Sequence, residues 1–114
     1  MINVENNDVR DFDLGIVLSI TSERLLTDFN NIFDILNYLT VDDVYLHRVP
    51  VAIDVTKEYI LLQYPELEGI GCDEVLLSEE DAKEFVKKQK EIFGNSIPLS
   101  PITDYKKKKY ILKK

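Results

Sequence analysis

Phe29, Ile32, Phe33, Leu36 and Leu39 recur at i, i+3, i+4, i+7 and i+10. At about 3.6 residues per turn that spacing puts all five on one stripe of an α-helix, whereas a strand would scatter them over both faces. Ile35 and Tyr38 widen the stripe. Thr27 or Asp28 stands ahead of it, where a side-chain oxygen accepts a bond from an otherwise unpaired first-turn N–H. A helix over residues 28–39 with one apolar face must bury that face, so the chain has to fold into packed layers.

Two further helices are expected. Residues 48–63 start beside Pro50, which the first turn tolerates. Val51, Val55, Tyr59 and Leu62 share one face, and Pro65 stops the helix. Residues 78–93 start at Ser78, a capping oxygen ahead of three anions, Glu79, Glu80 and Asp81, at the positive end of the helix dipole. Ala82, Phe85, Val86 and Phe93 line one face, and Gly94 fits the position just past the end. Between Asp13 and Thr21, Leu14, Ile16, Val17, Leu18 and Ile20 form a short apolar run rich in β-branched residues. That composition favours a strand, with Gly15 at a bulge or a close backbone approach and a hairpin return through Leu25 and Leu26. Pro98 and Pro101 confine any strand over 96–102 to a sheet edge. The expectation is an α+β fold, with three helices packed on a small antiparallel β-sheet built from about residues 13–26 and 96–102. Its core should hold Leu14, Ile16, Leu18, Phe29, Ile32, Phe33, Leu36, Leu39, Val55, Tyr59, Leu62, Phe85 and Val86.

The segment Leu14-Gly15-Ile16-Val17-Leu18-Ser19-Ile20-Thr21-Ser22-Glu23-Arg24-Leu25-Leu26, with Ile32-Phe33-Asp34-Ile35-Leu36-Asn37-Tyr38-Leu39-Thr40, Leu46-His47-Arg48-Val49-Pro50 and Tyr64-Pro65, resembles a family of small phage and prophage proteins of unknown function. The likeness covers about residues 13–66. The family pattern runs Leu-Gly-x-Val-Leu-x-Val-Thr-Thr-Gly-Arg-Leu-Leu, then Tyr-x-Ile-Leu-Asn-x-Met-Thr-Gly-Asp. This chain departs from it where Ser22-Glu23 replaces Thr-Gly and Val41-Asp42 replaces Gly-Asp. The resemblance implies a phage origin and one compact domain, and it implies no catalytic or binding residues.

Charge divides the chain of 114 residues unevenly. Residues 106–114 carry six lysines and no acid, and residues 1–105 carry all 21 acids against eight Lys and Arg, a net −13. One acidic domain over 1–105, with loose residues 1–10, followed by a flexible basic tail over 106–114, is the expected organisation. No apolar run approaches the roughly 18 residues that span a bilayer. The polar N-terminus lacks the pattern of a signal peptide. A single cysteine excludes an internal disulfide. A cytoplasmic protein of the host cell, without membrane contact, is therefore expected.

The catalytic inventory is thin. His47 is the sole histidine; Asp42 or Asp43 could pair with it, but a surface histidine needs fewer coincidences. Cys72 sits beside Asp73 and Glu74, the wrong sign of charge to favour a nucleophilic thiolate. The carboxylate groups Asp42-Asp43, Asp73-Glu74 and Glu79-Glu80-Asp81 lack the spacing of a calcium loop, and no phosphate-binding loop is present. No cofactor and no metal are expected, and the chain reads as a non-enzyme. Clustered carboxylates can occupy the basic groove of a protein that handles nucleic acid, and the same charge opposes direct contact with nucleic acid. The expected function is a phage accessory protein that binds a host protein, an inhibitor of nucleic-acid-directed defence (anti-CRISPR-like or similar). Its contacts would come from Asp42, Asp43, Asp73, Glu74, Glu79 and Glu80, with a tail contact at Lys106, Lys107, Lys108, Lys109 and Tyr110. The alternative is a structural or assembly protein of a phage that self-associates through the Tyr110-Ile111-Leu112 tail and an edge strand near Ile97.

Overall fold

The computed structural model describes residues 9–41 and 43–102. Most of the expected loose N-terminus, Asp42 and the lysine-rich segment lie outside the described residues. The fold is α+β and mostly helical. Strand β1 (Arg10–Asp13) is followed by helices α1 (Leu14–Ser22), α2 (Phe29–Thr40), α3 (Val49–Gln63) and α4 (Glu79–Phe93), then strand β2 (Ser96–Leu99). The two strands pair antiparallel, Phe12 opposite Ile97, and bring the ends of the described chain together.

Four helices, where three were expected, follow from one segment: the apolar run after Asp13 is helix α1 and not a strand. Asp13 caps it, its carboxylate accepting from the Gly15 N–H at 2.9 Å. Helix α1 is buried nearly all round, because α2, α3, α4 and the sheet all pack against it. A helix with no solvent face shows no 3.6-residue period, and its β-branched residues then read as strand. The partner of β2 is therefore Arg10–Asp13, not residues 13–26. Gly15 does mark a close approach: a Cβ there would lie 3.0 Å from Asp13 Oδ2 and 3.4 Å from Val86 Cγ1 on α4.

The other three helices fall within a residue of their expected bounds. Ser78 caps α4 by accepting from the Asp81 N–H at 3.1 Å. Asp28 is the backbone N-cap of α2 but makes no side-chain cap bond, and the Thr27 hydroxyl accepts instead from Asn31 Nδ2. Two helices end in the left-handed region on residues other than glycine, Glu23 at φ 60° and Val41 at φ 54°.

Of the expected core, Leu14, Leu18, Ile32, Leu36, Leu39, Val55, Phe85 and Val86 are buried, while Ile16, Phe33 and Tyr59 pack partly buried against them. Phe29 and Leu62 are corrections, both exposed. Phe29 opens α2 at the molecular surface. Leu62 points outward because the buried face of α3 runs through Val49, Ala52, Val55, Thr56 and Ile60. Thr56 can sit there because its hydroxyl donates to the Ala52 carbonyl at 2.7 Å, so the helix satisfies its own buried polar group.

Candidate functional site

Where α1 ends, Glu23 turns the chain out of the core. The connector to α2 is held by buried Ser19, whose Oγ accepts from the Leu26 N–H at 2.9 Å and donates to the Gly15 carbonyl at 2.8 Å. Arg24 Nη1 donates to the Gly71 carbonyl at 2.8 Å and ties the connector to the turn before α4. Leu26 is thereby drawn inward and Leu25 is left outward, 60% exposed. Facing it, the Asp81 carboxylate accepts from the Leu77 N–H at 2.9 Å while Ser78 accepts from Asp81. These reciprocal bonds fix the backbone ahead of α4 and hold the Leu77 side chain in solvent, 85% exposed.

Between these two walls runs a groove of ≈ 880 Å³, lined by the connector, Phe29, Leu76, Leu77 and the first turns of α4. Across the ridge formed by Leu25 and Phe29 lies a second hollow of ≈ 340 Å³, reaching Val49, Pro50 and Ile53 of α3. Phe29 stands edge-on to Phe33, ring centroids 5.1 Å apart, which keeps it upright at the groove mouth. The result is an apolar strip, Leu77–Phe29–Leu25–Ile53, that crosses from α4 to α3.

Acids stand at both ends of the strip. Residues 73–84 contribute Asp73, Glu74, Glu79, Glu80, Asp81 and Glu84, all exposed, against Lys83 alone. At the α3 end the second hollow is rimmed by Glu23 and Asp54. Lys57 pairs with Glu23 at 2.7 Å, and this hydrogen bond raises the ammonium's pKa against the opposing effect of burial.

The expected contact residues are thus divided. Of these, Glu79 lines the groove, while Asp73, Glu74 and Glu80 are exposed on the same stretch of chain. Asp43 is elsewhere: it lines a separate shallow hollow with Arg10, Asn37 and Val41, at the opposite end of α2 from Phe29. Asp42 and Lys106 to Tyr110 lie outside the described residues. Composition gave no sign of Leu25, Phe29 and Leu77 as site residues. The sequence signal was an apolar residue next to each of two N-caps, Phe29 directly after Asp28 and Leu77 directly before Ser78.

His47 lies in a short helical turn, Leu46–Arg48, stacked on Tyr45 with ring centroids 6.1 Å apart. Cys72 is exposed in the turn before α4. Among the described residues no three His, Cys, Asp or Glu side chains converge as metal ligands would, and no helix is long and apolar enough to cross a membrane. The edge of β2 near Ile97 is heavily used. The Tyr64, Tyr38 and Tyr59 hydroxyls donate to the carbonyls of Pro98 (2.7 Å), Leu99 (3.1 Å) and Ser100 (2.8 Å), and Pro98 has no N–H to offer.

Residues 12–70 match the model of a family described as a domain of unknown function, DUF7736. That span is more than half of the chain, from Phe12 of β1 through α3 to the turn before α4. No curated protein and no solved structure matches this sequence.

Proposed function

We propose that this chain, which belongs to the DUF7736 family of domains of unknown function, works by binding another protein through the apolar strip and its acidic flanks. The observation that supports it most is the concentration of exposed Leu25, Phe29 and Leu77 around one groove, with backbone anchors that hold them outward. Exposed apolar surface costs solubility, and a rigid patch rimmed by charge is how interaction sites present themselves. The polar groups beside it are tied up structurally: Arg24 on Gly71, Ser78 and Asp81 on the start of α4. That disposition suits docking better than chemistry.

The occupant is a segment with apolar side chains flanked by lysine or arginine. Charge complementarity selects it, because acids bracket the strip at both ends. Proteins that hold nucleic acid carry such basic segments. A host protein of nucleic-acid-directed defence, bound by a phage accessory protein, is the specific form of the proposal.

The test uses two fluorescein-labelled peptides with the same Leu-Ile centre, one flanked by lysines and one by glutamates, titrated by anisotropy. The lysine peptide should bind and weaken steeply between 50 mM and 500 mM NaCl as charges are screened. The double variant Leu25→Ser/Leu77→Ser should lose at least tenfold in affinity. Equal binding of both peptides, or an unaffected double variant, would overturn the proposal.

A further inference from the structure

We infer that the strip's first occupant is the chain's own residues 106–114, docked in cis, which a partner must displace. The inference rests on the binding surface proposed above. Two observations carry it: the order of residues in that segment, and the place where the described chain ends.

The segment reads Lys-Lys-Lys-Lys-Tyr-Ile-Leu-Lys-Lys. Its order is basic, apolar, basic. The surface reads acidic, apolar, acidic: Glu79 at one end, beside Lys83, then Leu77, Phe29 and Leu25, then Glu23 and Asp54 at the other, with Arg24 between them tied to the Gly71 carbonyl. Tyr110, Ile111 and Leu112 supply three large side chains for two hollows and the ridge between them. No other stretch of the sequence places an apolar trio between lysines.

The reach is sufficient. Ile102 is buried, and its N–H donates to the Leu39 carbonyl at 2.8 Å, so the described chain ends beside the C-terminal part of α2. The groove opens at Phe29, ten residues back along the same helix, or about 15 Å at about 1.5 Å per residue. Eight residue-to-residue steps lead from Ile102 to Tyr110, an extended span of about 26 Å at about 3.3 Å each. A tether that exceeds its span by this modest margin gives an effective concentration on the order of millimolar, enough to make weak docking substantial.

The experiment is disulfide trapping in the full chain. In a Cys72→Ser background, Ile111→Cys is combined with Leu77→Cys at the groove, or with Ile92→Cys, another exposed position near the far end of α4. Leu77 and Ile92 are 85% and 69% exposed, so neither change touches the core. Oxidation by glutathione disulfide is followed by mass under non-reducing electrophoresis at 5 µM protein. The expected result is an intramolecular bond forming at least tenfold faster at Leu77→Cys than at Ile92→Cys, with the difference lost in 1 M NaCl. Equal rates at both positions, or crosslinked dimers in place of the internal bond, would overturn cis docking. The peptide titration of the preceding section needs no such contact, so the surface can survive the loss of its tail. Conversely, trapping at Leu77 with no peptide binding, even when Tyr110, Ile111 and Leu112 are all changed to serine, would leave cis docking standing and remove the external partner.

Discussion

Val41→Gly should stabilise the protein, and the size of the gain tests whether backbone strain is stored at the end of α2. Val41 sits at φ 54°, ψ 47°, its N–H bonded to the Asn37 carbonyl. Left-handed backbone costs a residue other than glycine about 1–3 kcal/mol, and a β-branched side chain belongs near the upper end. Glycine removes that cost. Two effects oppose it. The unfolded chain gains freedom worth about 0.4–1 kcal/mol. The valine side chain is 59% exposed, so removing it forfeits about 0.6 kcal/mol of the roughly 1.5 kcal/mol that complete burial would provide. The net is a gain of about 1 kcal/mol, which shifts the thermal midpoint of a domain this size by about 4 °C. Urea unfolding followed by circular dichroism should show a raised midpoint with an unchanged slope. Glu23→Gly is the comparison. Its backbone is equally left-handed, at φ 60°. It lacks β-branching, so the relief is nearer 1–2 kcal/mol, and it forfeits the ion pair with Lys57, worth about 0.2–1 kcal/mol. Its net change should be near zero. If Val41→Ala stabilised as much as Val41→Gly, or Glu23→Gly gained as much as Val41→Gly, strain at Val41 would not be the cause. Both positions are those where the segment departs from the pattern it resembles, which has glycine at each.

Gly15→Ala should lower stability by about 1 kcal/mol in urea, because a methyl group set against Asp13 Oδ2 and Val86 Cγ1 outweighs alanine's helix preference; a raised midpoint would refute the close packing of α4 on α1. Ser78→Ala should cost about 1 kcal/mol by removing the cap of α4, and amide exchange should rise first in residues 79–82. Stability should fall as pH climbs through and above about 10, since two groups hold their protons more tightly when folded. Tyr64 is raised by burial and then by Glu66 and Asp11, and Lys57 by its bond to Glu23. For both, the folded-state pKa lies above the unfolded one, so the stabilisation is complete below pH 10 and is lost on the alkaline side. The variant Tyr64→Phe should flatten that fall, and an unchanged alkaline profile would refute its contribution.

What the sequence disclosed about the fold depended on whether an element kept a face toward solvent. α2 and α4 each have one apolar and one polar side, and their periods and caps placed them to within a residue. α3 was found by length and by Pro50 and Pro65, but its inner face was misplaced because buried Thr56 looks polar while bonding within its own helix. α1 has no outer face, so periodicity had nothing to report, and only the Asp13 cap distinguished it from a strand. β1 was missed because Phe12 alone of its four residues is buried. The acidic stretch that carries Glu79 to the groove was legible, since Asp73, Glu74, Glu79 and Glu80 are near one another in sequence. Its separation from Asp43 was not, because the length of α2 that divides them becomes a distance only once the helix is placed.

The buried centre and the exposed strip have a common origin in α1. Because that helix takes up the inward sides of α2, α3 and α4, the chain leaving it has no room to continue inside and must turn at Glu23. Six residues then separate two helices whose axes are already fixed by their contacts with α1. Ser19, one of the few polar side chains in the core, spends its oxygen on the Leu26 N–H, which sets the connector's path and the alternation of its side chains. With Leu26 inward, Leu25 has to face water, and Phe29, at the very start of α2, follows it. The apolar strip is therefore imposed by the packing of the core, and burying it without a partner would require moving the connector off Ser19. A surface that the fold cannot retract is one that charge at its borders, a tail or a second protein must cover.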